Sequence, residues 1–293
     1  MTDVLGHIPP EAVDRFKQSA SEGDPMGQFL MGVAALEGHH GETKDVVKAL
    51  EWFEKASQGE GGVPQAQYKA GVMYHTGEGC GRDTAKAAEY FRRAAEQGIA
   101  EAQFNLGLCL EKGEGVARDT DEAVEWYGKA ARQDHMDARL LLGYCYLSGK
   151  GVEVDHAVAV ELLRMPANKG QIMEAQYALG HLLMNGQGVE APDIKGGEKY
   201  LTSAAEQGMV SAQHYLGCCY LEGFGVAKNE QKAVEWLQAA SVKGNVDSMW
   251  YLYQVLARGK KMEKEAERWL KAAADGGHQE ALQKYREDQQ KTA

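Results

Sequence analysis

The chain has 293 residues, with 43 acidic and 32 basic side chains and a formal net charge of −11, a balance that repels nucleic-acid phosphates and anionic lipid headgroups. Its hydrophobic (44%) and charged (26%) content is that of a folded protein and excludes a disordered or low-complexity chain. No apolar run reaches the roughly eighteen residues a bilayer-spanning helix needs, so neither nucleic acid nor membrane insertion is expected.

Residues 1–10 read as a flexible segment with neither the basic-then-apolar pattern of a signal peptide nor the Arg/Ser-rich character of a transit peptide. The five cysteines include no Cys-x-x-Cys pair, and no Asn-x-Ser/Thr sequon occurs. A cytoplasmic location is therefore expected. Glu11 to Ala20 reads as a leading helix after Pro10, within a half-repeat cap at 11–26.

An internal period then governs the chain. The segments Ala66-Gln-Tyr-Lys-Ala-Gly71, Ala102-Gln-Phe-Asn-Leu-Gly107, Ala138-Arg-Leu-Leu-Leu-Gly143, Ala175-Gln-Tyr-Ala-Leu-Gly180 and Ala212-Gln-His-Tyr-Leu-Gly217 place glycines 36 or 37 residues apart. Each is followed by a Gly-x-Gly loop. An Asp or Asn suited to N-capping then opens a second helix: Asp83, Asp119, Asp155, Asp193 and Asn229. Four residues on comes a small residue, and seven on a large one (Tyr90, Trp126, Leu162, Tyr200, Trp236). Several second helices close on an Ala-rich turn and a glycine, as at Gly98 and Gly208, where a left-handed cap is expected.

Degenerate copies flank these five. Gly27 to Gly62 retains Gly32, Asp45, Ala49 and Trp52, and Ser248 to Glu280 retains Ala266 and Trp269 with a shortened loop. The expected repeats lie near 27–65, 66–101, 102–137, 138–174, 175–211, 212–247 and 248–280, in a single body spanning 11–285. A trailing half-repeat cap covers 281–290 and a polar tail 286–293. Each unit offers one amphipathic face too small to form a core alone, so stacking must bury it, and atypical ends present polar faces to water. The repeat glycines let the paired helices approach closely. In the fourth repeat, Pro166 replaces a small residue and one residue is added before Ala175. That predicts a kinked or ended helix and a local change of curvature there.

The string Ala-x-x-x-Leu-Gly-x-x-Tyr-x-x-Gly-x-Gly-Val-x-x-Asp-x-x-x-Ala-x-x-Trp-x-x-x-Ala-Ala, nearly complete in Ala212 to Val246, resembles the Sel-1-like repeat, a relative of the tetratricopeptide repeat. The resemblance covers about residues 27 to 285. It implies an all-α, right-handed superhelical solenoid of about seven two-helix repeats. It also implies an adaptor or scaffold whose concave groove binds a peptide or helix of another protein. The net charge adds partners with basic segments. A structural subunit of a large permanent assembly is the alternative, and a β-lactamase-like hydrolase, a label attached to some members resembling this fold, is a remote one. Those cysteine-rich members carry a cysteine pair in each repeat, which this chain lacks, and it has no Ser-x-x-Lys.

No set of nucleophile, base and orienting group can be assembled from the sequence, so no catalytic residue, metal site or cofactor is expected. Cys109, Cys145 and Cys219 share one repeat position and read as small core residues; His39-His40 read as solvated. The most informative positions are the variable ones of the first helices, three residues after the repeat alanine or its replacement and one after the glycine position. These share a helical stripe. A partner-binding stripe on the concave side is expected at Asn105, Tyr144, His181, Asn185, Tyr215, Glu222 and Tyr251, aromatic residues with polar handles being common interface anchors. Packing between helices is the competing reading of these tyrosines.

Overall fold

The structure is a computed structural model that describes residues 10–38, 43–59, 62–258 and 262–292. His39 and His40 lie outside these residues. The described residues form sixteen α-helices and no strand, divided into two compact units, Met1–Val154 and Asp155–Ala293.

In the first unit, α1 (Pro10–Ser21) precedes the helix pairs α2 (Pro25–Glu37) with α3 (Val46–Ala56), α4 (Pro64–Thr76) with α5 (Thr84–Glu96), and α6 (Ala100–Lys112) with α7 (Thr120–Arg132), and the unit ends on α8 (Met136–Ser148). In the second, α9 (His156–Asn168) is followed by α10 (Met173–Asn185) with α11 (Ile194–Glu206), α12 (Val210–Glu222) with α13 (Glu230–Val242), α14 (Val246–Leu256) with α15 (Glu263–Asp275), and α16 (Gln279–Thr292). The polar stretch 286–292 is part of that last helix. We call the first helix of each pair, together with α8, an A helix, and the second, together with α9, a B helix.

Local chemistry sets the boundaries. The side chains of Asp45, Asp83, Asp119, Asp155, Asp193 and Asn229 each accept a hydrogen bond from a backbone N–H two or three residues on, satisfying donors that the first turn leaves open. Gly98 and Gly208 take left-handed conformations, with φ of 93° and 98°, as the sequence leads one to expect. At the equivalent turn of the third repeat the left-handed residue is Asp134, with φ of 62°.

The pairs close on a glycine-to-ring contact. A Cβ placed on Gly107 would lie 2.5 Å from Tyr127 Cε1, and one on Gly71 would lie 2.8 Å from the Phe91 ring; in the second unit Gly217 faces Leu237 at 2.6 Å. The buried partner therefore stands eight residues after the cap, at Phe53, Phe91, Tyr127, Leu201 and Leu237, all 2% exposed or less. The large residue seven after the cap sits at the rim, mostly half-buried. There Arg93 lies over Tyr90 and Lys129 over Trp126, the latter 3.5 Å from the ring centroid. Each buried side chain of this size stabilises by about 1.5–3 kcal/mol.

Successive repeats are joined by a buried amide. Gln103 donates to Ala95 O of the repeat before it at 3.1 Å and accepts from Gln133 of its own repeat at 2.8 Å. Gln176 repeats both bonds, to Ala167 O and from Gln207. Gln213 keeps the first, to Ala205 O, but position 243 is lysine, which donates to Gly208 O instead, and Gln213 Oε1 is buried with no hydrogen bond.

Pro166 does not end its helix: α9 continues to Asn168. Pro166 lies within the last turn, where the lost backbone donor removes a single bond near a fraying end. The extra residue is absorbed just afterwards, in a turn where Gln171 takes a φ of 50° and Ile172 N bonds to Pro166 O at 3.1 Å.

Candidate functional site

The second unit brings together most of the expected stripe. His181 on α10 and Tyr215 on α12 lie with ring centroids 5.0 Å apart, and Asn185, one turn beyond His181, donates through Nδ2 to the Tyr215 hydroxyl at 3.1 Å and to His181 O at 2.8 Å. Tyr251 on α14 joins through His214, at a centroid distance of 5.8 Å. Glu222 is exposed at the end of α12, and its charge acts on Tyr251 and Cys218. His181, Tyr215 and Tyr251 are half-buried, each offering part of its surface to solvent. The spacing is structural in origin: A helices at the same repeat phase present residues at the same angle, so a column of positions becomes a row of side chains.

Asn105 and Tyr144 belong to the first unit. Asn105 is half-buried and donates to Glu101 O of its own helix at 2.9 Å; Tyr144 is half-buried on α8. Phe104, beside Asn105, pairs with Tyr127 and His135.

Three residues of the second-unit site were missed from the sequence: Tyr177, His214 and Ser248. Tyr177 lies 6.4 Å from His181 between ring centroids, and His214 Nδ1 lies 2.8 Å from Ser248 Oγ, with Nε2 3.7 Å from Cys218 Sγ. The signal was present in the aligned segments, because the position two after the repeat alanine is a ring in Tyr68, Phe104, Tyr177, His214 and Trp250.

Burial lowers the pKa of His181 and of His214, with Asp247 opposing it at the latter, so both imidazoles stay neutral near pH 7. Burial raises the tyrosines Tyr177 and Tyr215. It pushes the Cys218 thiol up to about 12, and Cys109 and Cys219 to about 11. These are protonated thiols and poor nucleophiles. All five cysteines are free, and Cys109, Cys145 and Cys219 are buried in the manner expected of small core residues. Among the described residues no group of three or more His, Cys, Asp or Glu side chains could hold a metal ion, and no helix is long and apolar enough to cross a membrane. The stripe can form ring contacts and neutral hydrogen bonds.

Paired helices, most of the second ones capped by Asp or Asn, with repeat glycines set against a buried ring or leucine, define an all-α helical-repeat solenoid. The Sel1 repeat model matches residues 25–60, 64–99, 100–135, 137–171, 174–209, 210–245 and 250–278, and the chain belongs to the Sel1 repeat family. Among solved structures it is similar to c5321, described as a protective antigen present in uropathogenic Escherichia coli strains displaying an SLR fold. The two share 33% identity with a TM-score of 0.81, over 94% of this chain and 59% of that one. A Sel1 repeat protein from Oxalobacter formigenes is 29% identical with a TM-score of 0.65, over 84% of this chain and 96% of that one. An uncharacterised protein of Neisseria meningitidis serogroup B is 35% identical over 88 residues, 30% of this chain and 18% of its own length. The chain thus spans about three-fifths of the E. coli relative and under a fifth of the Neisseria one.

Proposed function

We propose that this chain is a protein-interaction scaffold without catalytic activity, and that the A-helix stripe of its second unit binds a peptide or helix of another protein. Stacked helical repeats generally serve this purpose, because repetition gives an extended surface on which each unit supplies a few variable side chains. The observation that carries the reading is the row Tyr177, His181, Tyr215, His214 and Tyr251, half-exposed rings touching from helix to helix across three repeats. Rings held this way lose little conformational freedom on binding, and their hydroxyl and imidazole groups add directional bonds. If only core packing were being served, alanine would suffice in this column, as Ala178 shows on α10.

The test is co-purification from the native cell with the wild-type chain and with a Tyr215→Ala, Tyr251→Ala double variant whose folding has been verified. A reproducible partner that is captured by the former and lost from the latter supports the reading. Unchanged partners would assign these rings to packing and move the search to another face.

A further inference from the structure

A second surface of the second unit is basic. A cleft of about 460 Å³ lies between the start of α11 and the loop entering α13, lined by Lys195, Glu198, Tyr220, Val226, Lys228 and Lys232. The carboxylate of Glu198 is already engaged, accepting from the Tyr220 hydroxyl, while Lys232 Nζ lies 3.3 Å from that hydroxyl and 4.8 Å from the ring centroid. Lys195 and Lys228 are exposed and make no ion pair among the described residues. Three ammonium groups therefore face one committed carboxylate, in a chain whose net charge is −11. The bias extends along α11: six residues after the cap five other B helices carry Glu51, Glu89, Glu125, Glu161 and Glu235, whereas α11 carries Lys199, as α15 carries Arg268. Phe224, next to the cleft-lining Gly225, is 48% exposed.

We propose that this cleft docks an acidic segment of a partner protein, its carboxylates pairing with Lys195 and Lys228 and a neighbouring apolar side chain resting on Phe224. One exposed ion pair contributes little, at most about 1 kcal/mol. A run of carboxylates meeting lysines on two separate elements engages them together, and the second contact forms at the high effective concentration set by the first. An extended peptide supplies both this spacing and the apolar contact; a small anion supplies neither. The cleft uses none of the stripe residues, so the proposal stands apart from the scaffold reading of the A helices.

The probe is a fluorescein-labelled Glu-Glu-Asp-Phe-Glu-Glu peptide, titrated with the full chain and followed by fluorescence anisotropy at low ionic strength. The wild-type chain and the Tyr215→Ala, Tyr251→Ala chain should bind alike. Lys195→Glu, Lys228→Glu should bind at least about tenfold more weakly, and raising the salt to about 0.3 M should weaken binding to the wild type. Both lysines are exposed, so the variant should keep its circular dichroism spectrum and melting temperature. Absence of binding to the wild type, or equal binding by the lysine variant, overturns the proposal. So does displacement of the peptide by an equal concentration of inorganic phosphate, which would mark a small-anion site.

Discussion

Up to Val154 the chain carries 25 acidic and 16 basic side chains; from Asp155 onward it carries 18 and 16. The same repeat frame underlies both units, with the Asp cap, the repeat glycine facing a buried ring or leucine, and the glutamine staple at matching positions. What differs is the variable columns of the A helices. The first unit places Lys69, Asn105 and Leu141 where the second places Ala178, Tyr215 and Tyr251, and Val72, Leu108 and Tyr144 where the second places His181 and Cys218. The comparison separates two kinds of residue: those that recur in both units build the repeat, and those that change between units are free to determine what each unit contacts.

The largest expected effect tests the shared frame. Gly107→Val and Gly217→Val force a branched side chain against Tyr127 and Leu237, and each should destabilise its own unit by about 2–3 kcal/mol. Chemical denaturation should register the loss in both; a neutral outcome in one would show that its helix pair is not locked as the other is. Next come the staples. Gln103→Ala and Gln176→Ala each remove the bond to the preceding repeat's carbonyl and the one from the same repeat's glutamine, at a cost of about 0.5–1.5 kcal/mol per bond, read as a loss of stability of similar size in the two units.

A smaller effect should distinguish the units by pH. Burial depresses the pKa of His181 and His214 below the ordinary 6.5, so the unfolded chain binds protons before the folded one does. The stability these neutral imidazoles confer is fully present above pH 6.5 and is lost as pH falls from there through the folded-state values. Thermal melts should therefore show a downward slope on acidification below pH 6.5 that His181→Gln, His214→Gln flattens. An unchanged slope would place the acid sensitivity elsewhere. The smallest expected change is a gain. Lys243→Gln supplies the donor that Gln97, Gln133 and Gln207 give their own repeat's buried amide. Bonding Gln213 Oε1 should raise stability by about 0.5–1 kcal/mol, net of the lost bond to Gly208 O.

The fold was legible because its signals are local and repeated. The caps at Asp83, Asp119, Asp155 and Asn229 and the glycines at 36- or 37-residue spacing each report a backbone requirement that recurs with the period. The ring that fills the glycine contact was harder to read. Trp126 and Tyr127 are adjacent, large and both buried, and only helix phase, about 100° per residue, decides that Tyr127 is the one that meets Gly107. The helix does not end at Pro166 because the cost of a proline depends on its distance from the helix end, and α9 extends only two residues past it. At the candidate site, His181, Asn185, Tyr215 and Tyr251 were legible as a column. Tyr177 and His214 were not, since their position looks like core from its recurring rings, and its exposure is set by how neighbouring repeats stack.

Photo-crosslinking in the native cell decides whether the second unit's A-helix stripe is the recognition surface we propose. A photoreactive amino acid replaces exposed Glu222 beside the stripe in one chain, and half-buried Asn105 of the first unit in another. A discrete crosslinked protein is expected from position 222 that is absent from position 105. The same adduct from both positions, or one from position 105 alone, would contradict the proposal.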